Sequence, residues 1–142
     1  MIVCFDIGGT TIKGAVAYAP DDIRPVPRIP TPKTSFEDFA AGLKSVIDQS
    51  GGEPGCVSLS IAGVIDPDTG KATVANIPSI HGRALQDELE KALGLPVIVS
   101  NDADCFVIAE SEIGSGRGHR VVFGVILGTG VGGGLVIDGK LI

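Results

Sequence analysis

The chain has 142 residues, of which 44% are hydrophobic and 20% charged, and this is enough for one globular domain with its own core. Its formal net charge is −6 and no basic stripe is present, so nucleic acid and anionic membrane surfaces are poor candidate partners. No apolar stretch approaches the roughly 20 residues of a membrane span. Nothing at the N-terminus resembles a signal peptide, and we expect a cytoplasmic protein. Three widely spaced cysteines with apolar neighbours are expected to be buried free thiols: Cys4, Cys56 and Cys105.

The first third of the chain predicts a β-hairpin, an extended proline-rich segment and a helix. Apolar runs at residues 2–7 and 12–18 flank a glycine turn, which is the pattern of two paired strands. Five prolines in residues 19–32 exclude a helix and allow at most an edge strand. Ser35 is a suitable N-cap for the helix that follows. Its apolar face is predicted to comprise Phe36, Phe39, Ala40, Leu43, Val46 and Ile47.

The rest of the chain alternates strands with helices. Strands are predicted at residues 57–61, 96–100, 121–127 and 135–137, helices at 84–93 and 103–113, and a glycine loop at 128–134. This order predicts an α/β domain whose mixed sheet is covered by helices.

An acidic residue and a glycine turn mark the junction of the first two strands. Gly8 and Gly9 let the backbone approach a ligand closely, so that exposed N–H groups there can hold phosphate oxygens. Thr10 and Thr11 add hydroxyls, and Asp6 at the strand end is placed to hold Mg²⁺ through water. A plain hairpin turn would also explain the two glycines. The neighbouring acid and threonines favour phosphate binding, although no P-loop motif is present.

A second glycine-rich stretch, residues 128–134, follows the apolar run at 121–127. It offers open backbone amides and the hydroxyl of Thr129. Taken alone, it could be a flexible hinge or a Rossmann-like loop. Together with the first turn, it predicts a second phosphate site on the same edge of the sheet.

Residues at three other strand ends are candidates for contacts to a substrate. Asp102 could accept the proton of an attacking hydroxyl, and Asn101 could bond a neighbouring hydroxyl. Either residue could instead cap the following helix, and the two roles are compatible. Asp104 is expected to be a first-turn helix acid. Gly63 and Asn76 carry weaker signals, because each residue type is more often found simply in a turn.

These segments occur in the order that is seen in sugar kinases of the ROK family, and the resemblance covers the whole chain. It rests on residues 6–13, 61–63, 75–78, 101–102 and 127–134. The resemblance implies a ribonuclease-H-like, actin-like ATPase lobe with a mixed sheet flanked by helices. Residues 1–142 would form the N-terminal lobe of a two-lobed kinase whose active site lies between the lobes. On this resemblance, we expect the second lobe to lie outside residues 1–142.

The resemblance also implies a role for each candidate residue. Asp102 would be the general base, and Gly63, Asn76, Asn101 and Asp102 would contact the sugar. ATP with Mg²⁺ would be held by the residues of the two glycine segments: Asp6, Gly8, Gly9, Thr10, Thr11, Lys13, Gly128, Thr129, Gly130, Gly132 and Gly133. No residue of this chain is assigned to a structural metal, because the zinc motif of the family belongs to the second lobe.

Residues 75–78 and 101–106 look most like the N-acetylglucosamine kinases of the family, which implies ATP-dependent formation of the 6-phosphate. Phosphorylation of glucose, fructose or N-acetylmannosamine stays open, as does a non-catalytic sugar-sensing protein. A repressor is less favoured, since the first hairpin begins at the N-terminus without a helix-turn-helix before it. We expect a homodimer for the full-length protein. For the 142-residue chain alone we expect little or no activity, and self-association through an exposed apolar face.

Overall fold

A computed structural model describes residues 1–128 and 130–142, which form ten strands and three helices. The strands are β1 (Ile2–Ile7), β2 (Thr11–Ala19), β3 (Asp22–Pro30), β4 (Cys56–Ile61), β5 (Gly63–Ile65), β6 (Ala72–Val74), β7 (Val97–Asn101), β8 (Val121–Leu127), β9 (Val131–Ile137) and β10 (Lys140–Leu141). The helices are α1 (Phe36–Asp48), α2 (Leu85–Leu93) and α3 (Asp102–Glu112). The chain divides into two compact units, residues 1–100 (unit 1) and residues 101–142 (unit 2). Within the described residues, no helix combines the length and the apolar character that a membrane span requires.

Unit 1 is built on a five-stranded sheet in the order β3-β2-β1-β4-β7. β1 pairs antiparallel with β2 and parallel with β4, so the predicted mixed sheet is confirmed. The proline-rich segment forms β3 at the edge of this sheet, the position at which prolines are tolerated in a strand. A separate two-stranded sheet of β5 and β6, which the sequence did not indicate, leads from Gly63 toward Asn76.

The core of unit 1 lies between one face of the sheet and the helices α1 and α2. The hydroxyl of Ser35 caps α1 by accepting a hydrogen bond from the Asp38 amide at 3.0 Å. The buried side chains of α1 are the six that the helical spacing predicted. They pack into one cluster with alternate residues of β1: Val3, Phe5 and Ile7. Because side chains alternate along a strand, Asp6 lies on the opposite face of the sheet and is exposed.

The same alternation corrects the prediction for the cysteines. No disulfide links any of them within the described residues, but each is half-buried rather than buried. Cys4 lies between the buried residues Val3 and Phe5 of β1, so it faces the side of the sheet away from the apolar core. Cys56 begins β4 with the same alternating burial, and Val57 takes the core position there.

Unit 2 consists of the antiparallel sheet β10-β9-β8 and helix α3. The predicted glycine loop at 128–134 is wrong in its second half, because β9 already begins at Val131. The close packing of α3 against β8 and β9 explains why these two strands contain glycines. A Cβ on Gly134 would lie 2.6 Å from Cγ1 of Val107 on α3, and one on Gly124 would lie 3.1 Å from the same side chain. Of the described residues in the predicted loop, 128 and 130 lie outside the strands.

The close approach of Gly134 to Val107 can be tested by substitution. Gly134→Ala is expected to destabilise the protein by about 1–3 kcal/mol, because the new methyl group overlaps a fully buried side chain. Chemical denaturation followed by circular dichroism measures the change. Gly55→Ala is the control, since a Cβ at Gly55 meets nothing within 4 Å. The loss of stability in the double variant with Val107→Ala should be smaller than the sum of the losses in the two single variants. An unchanged unfolding midpoint for Gly134→Ala would contradict this account of β9.

Candidate functional site

The turn between β1 and β2 presents two backbone amides that have no acceptor within the described residues. Ile7 pairs with Ile12, and the Gly8 amide donates to the Thr11 carbonyl at 3.1 Å, which closes the turn. Within the described residues, no protein group accepts a hydrogen bond from the amides of Gly9 and Thr10. Successive N–H groups without a protein partner form a concavity suited to an anion. The turn that the sequence indicated as a phosphate site therefore has the donors that such a site needs.

A residue that sequence reasoning missed holds this turn in place. The Thr31 amide donates to the Thr10 carbonyl at 3.0 Å, and the Thr31 hydroxyl donates to the Gly8 carbonyl at 2.6 Å. Thr31 is 8% exposed and follows β3 directly. Its sequence signal is no more than a threonine between two prolines, and the contact with Gly8 crosses 23 residues. The position of β3 beside β2 creates it.

The charged candidates of the turn are paired with each other. Asp6 and Lys13 are directly opposite in the register of β1 and β2, and Lys13 Nζ lies 2.8 Å from Asp6 Oδ2. Both side chains are about half exposed, at 52% and 55%. An exposed ion pair of this kind contributes about 0–1 kcal/mol. A phosphate group or a cation can therefore separate the two side chains at little cost.

The structure brings Asn76 against the apex of the hairpin. A Cβ on Gly9 would lie 3.0 Å from Cβ of Asn76, so any side chain larger than hydrogen at position 9 would press on this asparagine. Asn76 is exposed, and its side-chain amide makes no hydrogen bond within the described residues. Two sequence candidates from different segments, one for phosphate and one for sugar, are thus neighbours.

Buried contacts fix the segment that carries Asn76. Ile77 is 1% exposed, and the Ser79 hydroxyl donates to the Pro32 carbonyl at 2.8 Å. At the end of the segment, His81 Nδ1 lies 3.0 Å from the carbonyl oxygen of Val74 and 3.2 Å from its amide nitrogen. His81 therefore closes the loop between residues 74 and 81, a role for which the sequence carried no signal.

Gly63 has a structural reason to be glycine. It pairs with Val74 across β5 and β6, and a Cβ there would lie 2.5 Å from the Thr73 carbonyl oxygen. Its contact with a sugar stays a prediction. The turn between these two strands is held by Asp66, which accepts hydrogen bonds from the hydroxyl and the amide of Thr69. These bonds, the hydroxyl first, hold the pKa of the Asp66 carboxyl below its ordinary value.

In unit 2, Asn101 caps helix α3. Its Oδ1 accepts from the amides of Ala103 at 2.8 Å and Asp104 at 3.3 Å. Asp102 is the first residue of the helix and half-buried, and its Oδ1 also accepts from Ala103, at 2.9 Å. Asp104 lies in the first turn, as expected. Of the two residues that the sequence offered as caps, the structure gives the larger share of capping to Asn101.

The second glycine segment lies next to the first turn of α3. The Gly128 amide donates to the Gly130 carbonyl at 2.9 Å. A Cβ on Gly132 would lie 3.4 Å from Cβ of Ala103, the residue after Asp102. Gly133 is exposed. Thr129 lies outside the described residues, so its predicted phosphate contact stays a prediction.

Three or more His, Cys, Asp or Glu side chains grouped to hold a metal ion are not found in residues 1–128 and 130–142. Asp6 alone at the hairpin is consistent with a cation that arrives with a phosphate ligand, because Mg²⁺ usually needs only one or two carboxylates besides phosphate oxygens and waters.

Comparison with protein families matches residues 2–142 to the ROK family. The chain is 39% identical to an N-acetyl-D-glucosamine kinase of Pectobacterium atrosepticum over 139 residues, which are 96% of this chain and 46% of that protein. It is 40% identical to an N-acetylgalactosamine kinase of a Shewanella species over 96% of this chain and 45% of that protein. A solved structure of a ROK glucokinase from Streptomyces griseus, in complex with glucose and AMPPNP, matches 99% of this chain and 46% of its own with a TM-score of 0.83 at 31% identity. The chain spans about half the length of the curated relatives it matches.

The capping role of Asn101 can be separated from any role in binding. Asn101→Ala is expected to lower the free energy of unfolding by about 1 kcal/mol, because two helix amides lose their acceptor. Asn101→Asp keeps an acceptor oxygen and should retain most of that stability. Thermal and urea unfolding of the three proteins measure the difference. Equal losses in both variants would show that the cap is not what Asn101 contributes.

Proposed function

The chain belongs to the ROK family, and from this premise we propose that the protein containing it transfers a phosphoryl group from ATP to a hexosamine. The proposed reaction converts N-acetylglucosamine to its 6-phosphate, and residues 1–142 act as the N-terminal lobe of the kinase. Two of the relatives are named as kinases of N-acetylated amino sugars, which supports this class of substrate. The observation that carries the proposal is that the amides of Gly9 and Thr10, beside Asn76, have no acceptor in residues 1–128 and 130–142.

The hairpin fits a nucleotide phosphate by shape as well as by its donors. A Cβ on Gly8 would lie 2.9 Å from the Thr11 carbonyl oxygen, and one on Gly9 would press on Asn76, so the turn excludes side chains where the backbone must be reached. We propose that the amides of Gly9 and Thr10 bind phosphate oxygens of ATP. The hydroxyls of Thr10 and Thr11 would add donors, and Lys13 would leave Asp6 to pair with phosphate.

Asp6 then becomes free to hold Mg²⁺ through water. An exposed carboxylate at the end of β1 fits this role, since it can exchange the ammonium of Lys13 for a hydrated cation. The chemistry that Mg²⁺ supplies in such sites is neutralisation of phosphate charge. The residues 128, 129, 130, 132 and 133 of the second glycine segment are proposed to contact the same nucleotide. Zinc is not proposed for residues 1–142.

Asp102 is proposed as the general base. Its Oδ1 is held by the Ala103 amide, while its Oδ2 accepts no hydrogen bond within the described residues. A carboxylate with one oxygen fixed and the other open can take the proton of the sugar hydroxyl as it attacks. Asn101, Asn76 and Gly63 would contact other parts of the sugar.

The competing functions share the fold and differ in the sugar preference and the ADP release that they predict. Kinases for glucose, fructose or N-acetylmannosamine would show the same dependence on Asp102 with another sugar preference. A non-catalytic sugar-sensing protein would bind sugar without releasing ADP. A cytoplasmic location is part of the proposal.

The test is a coupled assay of ADP release by the full-length protein that contains this chain. With Mg·ATP, turnover should favour N-acetylglucosamine over N-acetylmannosamine, glucose and fructose. Asp102→Asn should lower kcat by about 10²–10⁴-fold, because the hydroxyl proton loses its acceptor. Asp104→Asn, in the same helical turn, is the matched control and should keep most of the activity. Sugar binding without turnover in the wild type would favour a sensor instead, and the 142-residue chain alone should show little or no turnover.

The proposed homodimer of the full-length protein is separate from the behaviour of the chain alone. β8 exposes an apolar face of alternating side chains: Val121, Phe123, Val125 and Leu127. We expect the 142-residue chain to self-associate through this face, because contiguous apolar surface is rarely left exposed. Light scattering over a concentration series measures this, and Phe123→Ser should reduce it. A monodisperse monomer at high concentration would contradict the expectation.

A further inference from the structure

We propose that Thr31 is a positioning residue, which aims the Gly9 amide at the nucleotide phosphate and ties the phosphate hairpin to the segment that carries Asn76. The inference rests on the proposed function and extends it to a residue outside every motif that the sequence indicated. Thr31 touches neither nucleotide nor sugar in this proposal. It acts through the backbone of Gly8 and through the carbonyl of its own neighbour, Pro32.

The planar peptide bond between Gly8 and Gly9 couples the carbonyl of one residue to the N–H of the next. The Gly8 carbonyl and the Gly9 N–H belong to one planar trans unit, so they point in opposite directions. The Thr31 hydroxyl holds that carbonyl at 2.6 Å and thereby fixes the direction of the unpaired Gly9 N–H. Between two glycines, this peptide would otherwise rotate with little steric resistance. The Thr31 amide holds the Thr10 carbonyl at the other side of the turn.

The residue after Thr31 is bonded to the segment that carries Asn76, the proposed sugar ligand. The Pro32 carbonyl, one residue after Thr31, accepts from the Ser79 hydroxyl at 2.8 Å, and Ser79 is 7% exposed. Ser79 follows Asn76 by three residues, and Asn76 lies against Gly9. Residues 31 and 32 are therefore bonded to both segments and fix the spacing between the proposed phosphate donors and the proposed sugar ligand.

The chemistry of the side chain distinguishes this role from simple filling of space. Valine has nearly the shape of threonine but cannot donate, so Thr31→Val removes the bond to Gly8 and little else. Serine retains the hydroxyl and loses only the methyl group. Thr34 lies three residues further along, is exposed, and makes no hydrogen bond to the hairpin within the described residues, so Thr34→Val is a matched control.

The experiment measures the steady-state kinetics of the full-length protein with N-acetylglucosamine and Mg·ATP. Thr31→Val should raise KM for ATP about tenfold, the effect expected from one misdirected donor, with KM for the sugar changed by less than about twofold. Thr31→Ser should keep KM for ATP close to the wild-type value, and Thr34→Val should match the wild type. Ser79→Ala should show the converse pattern, with the larger change in KM for the sugar. A merely structural role would lower the melting temperature and the apparent kcat and leave both KM values unchanged.

The outcomes separate this inference from the function on which it rests. An active wild type with an unchanged KM for ATP in Thr31→Val would overturn the role of Thr31 alone. A wild type that neither turns over nor binds AMPPNP would overturn the proposed function, and this role with it. If Thr31→Val does not fold, hydrogen exchange on the wild type decides. AMPPNP should slow exchange of the Gly9 and Thr31 amides together, and protection of the hairpin without Thr31 would contradict the coupling.

Discussion

The pairing of β1 with β2 on one side and β4 on the other is the constraint on which unit 1 depends. Its register sets Ile7 opposite Ile12, which leaves four residues for the turn, and it sets Asp6 opposite Lys13. The period of two along β1 buries Val3, Phe5 and Ile7 against α1 and keeps Asp6 outside. A slip of one residue would bury the carboxylate and expose the core. The apolar core thus fixes the position of the proposed phosphate hairpin, although no core residue takes part in it.

Local signals made much of this predictable. The hairpin, the capped helix α1 with its buried face and the edge position of the proline-rich strand all follow from neighbouring residues in the sequence. Thr31 could not be found in this way, because its bond to Gly8 crosses 23 residues and exists only once β3 lies beside β2. The two-stranded sheet of β5 and β6 was missed since each strand has only three residues, too short for a periodic pattern.

A glycine-rich segment can reflect either close packing of the backbone or binding of a ligand. Gly134 and Gly63 are required where α3 and β6 approach closely, and a run of glycine does not distinguish that need from ligand binding. This is why the predicted loop at 128–134 proved to be mostly strand. Gly9 is different, because the neighbour it admits is an exposed candidate ligand, Asn76, and its own amide has no acceptor in the part of the chain that the structure describes. The role of Gly9 in a binding site stays a prediction.

The most direct test of the central claim is a crystal structure of the full-length protein with AMPPNP and N-acetylglucosamine. The account predicts phosphate oxygens within hydrogen-bond distance of the Gly9 and Thr10 amides, with Lys13 moved from Asp6 toward phosphate. It also predicts that the bond between Thr31 and the Gly8 carbonyl persists. A nucleotide bound with the hairpin amides still unpaired, and the ion pair of Asp6 and Lys13 intact, would contradict the assignment of this turn as the phosphate site.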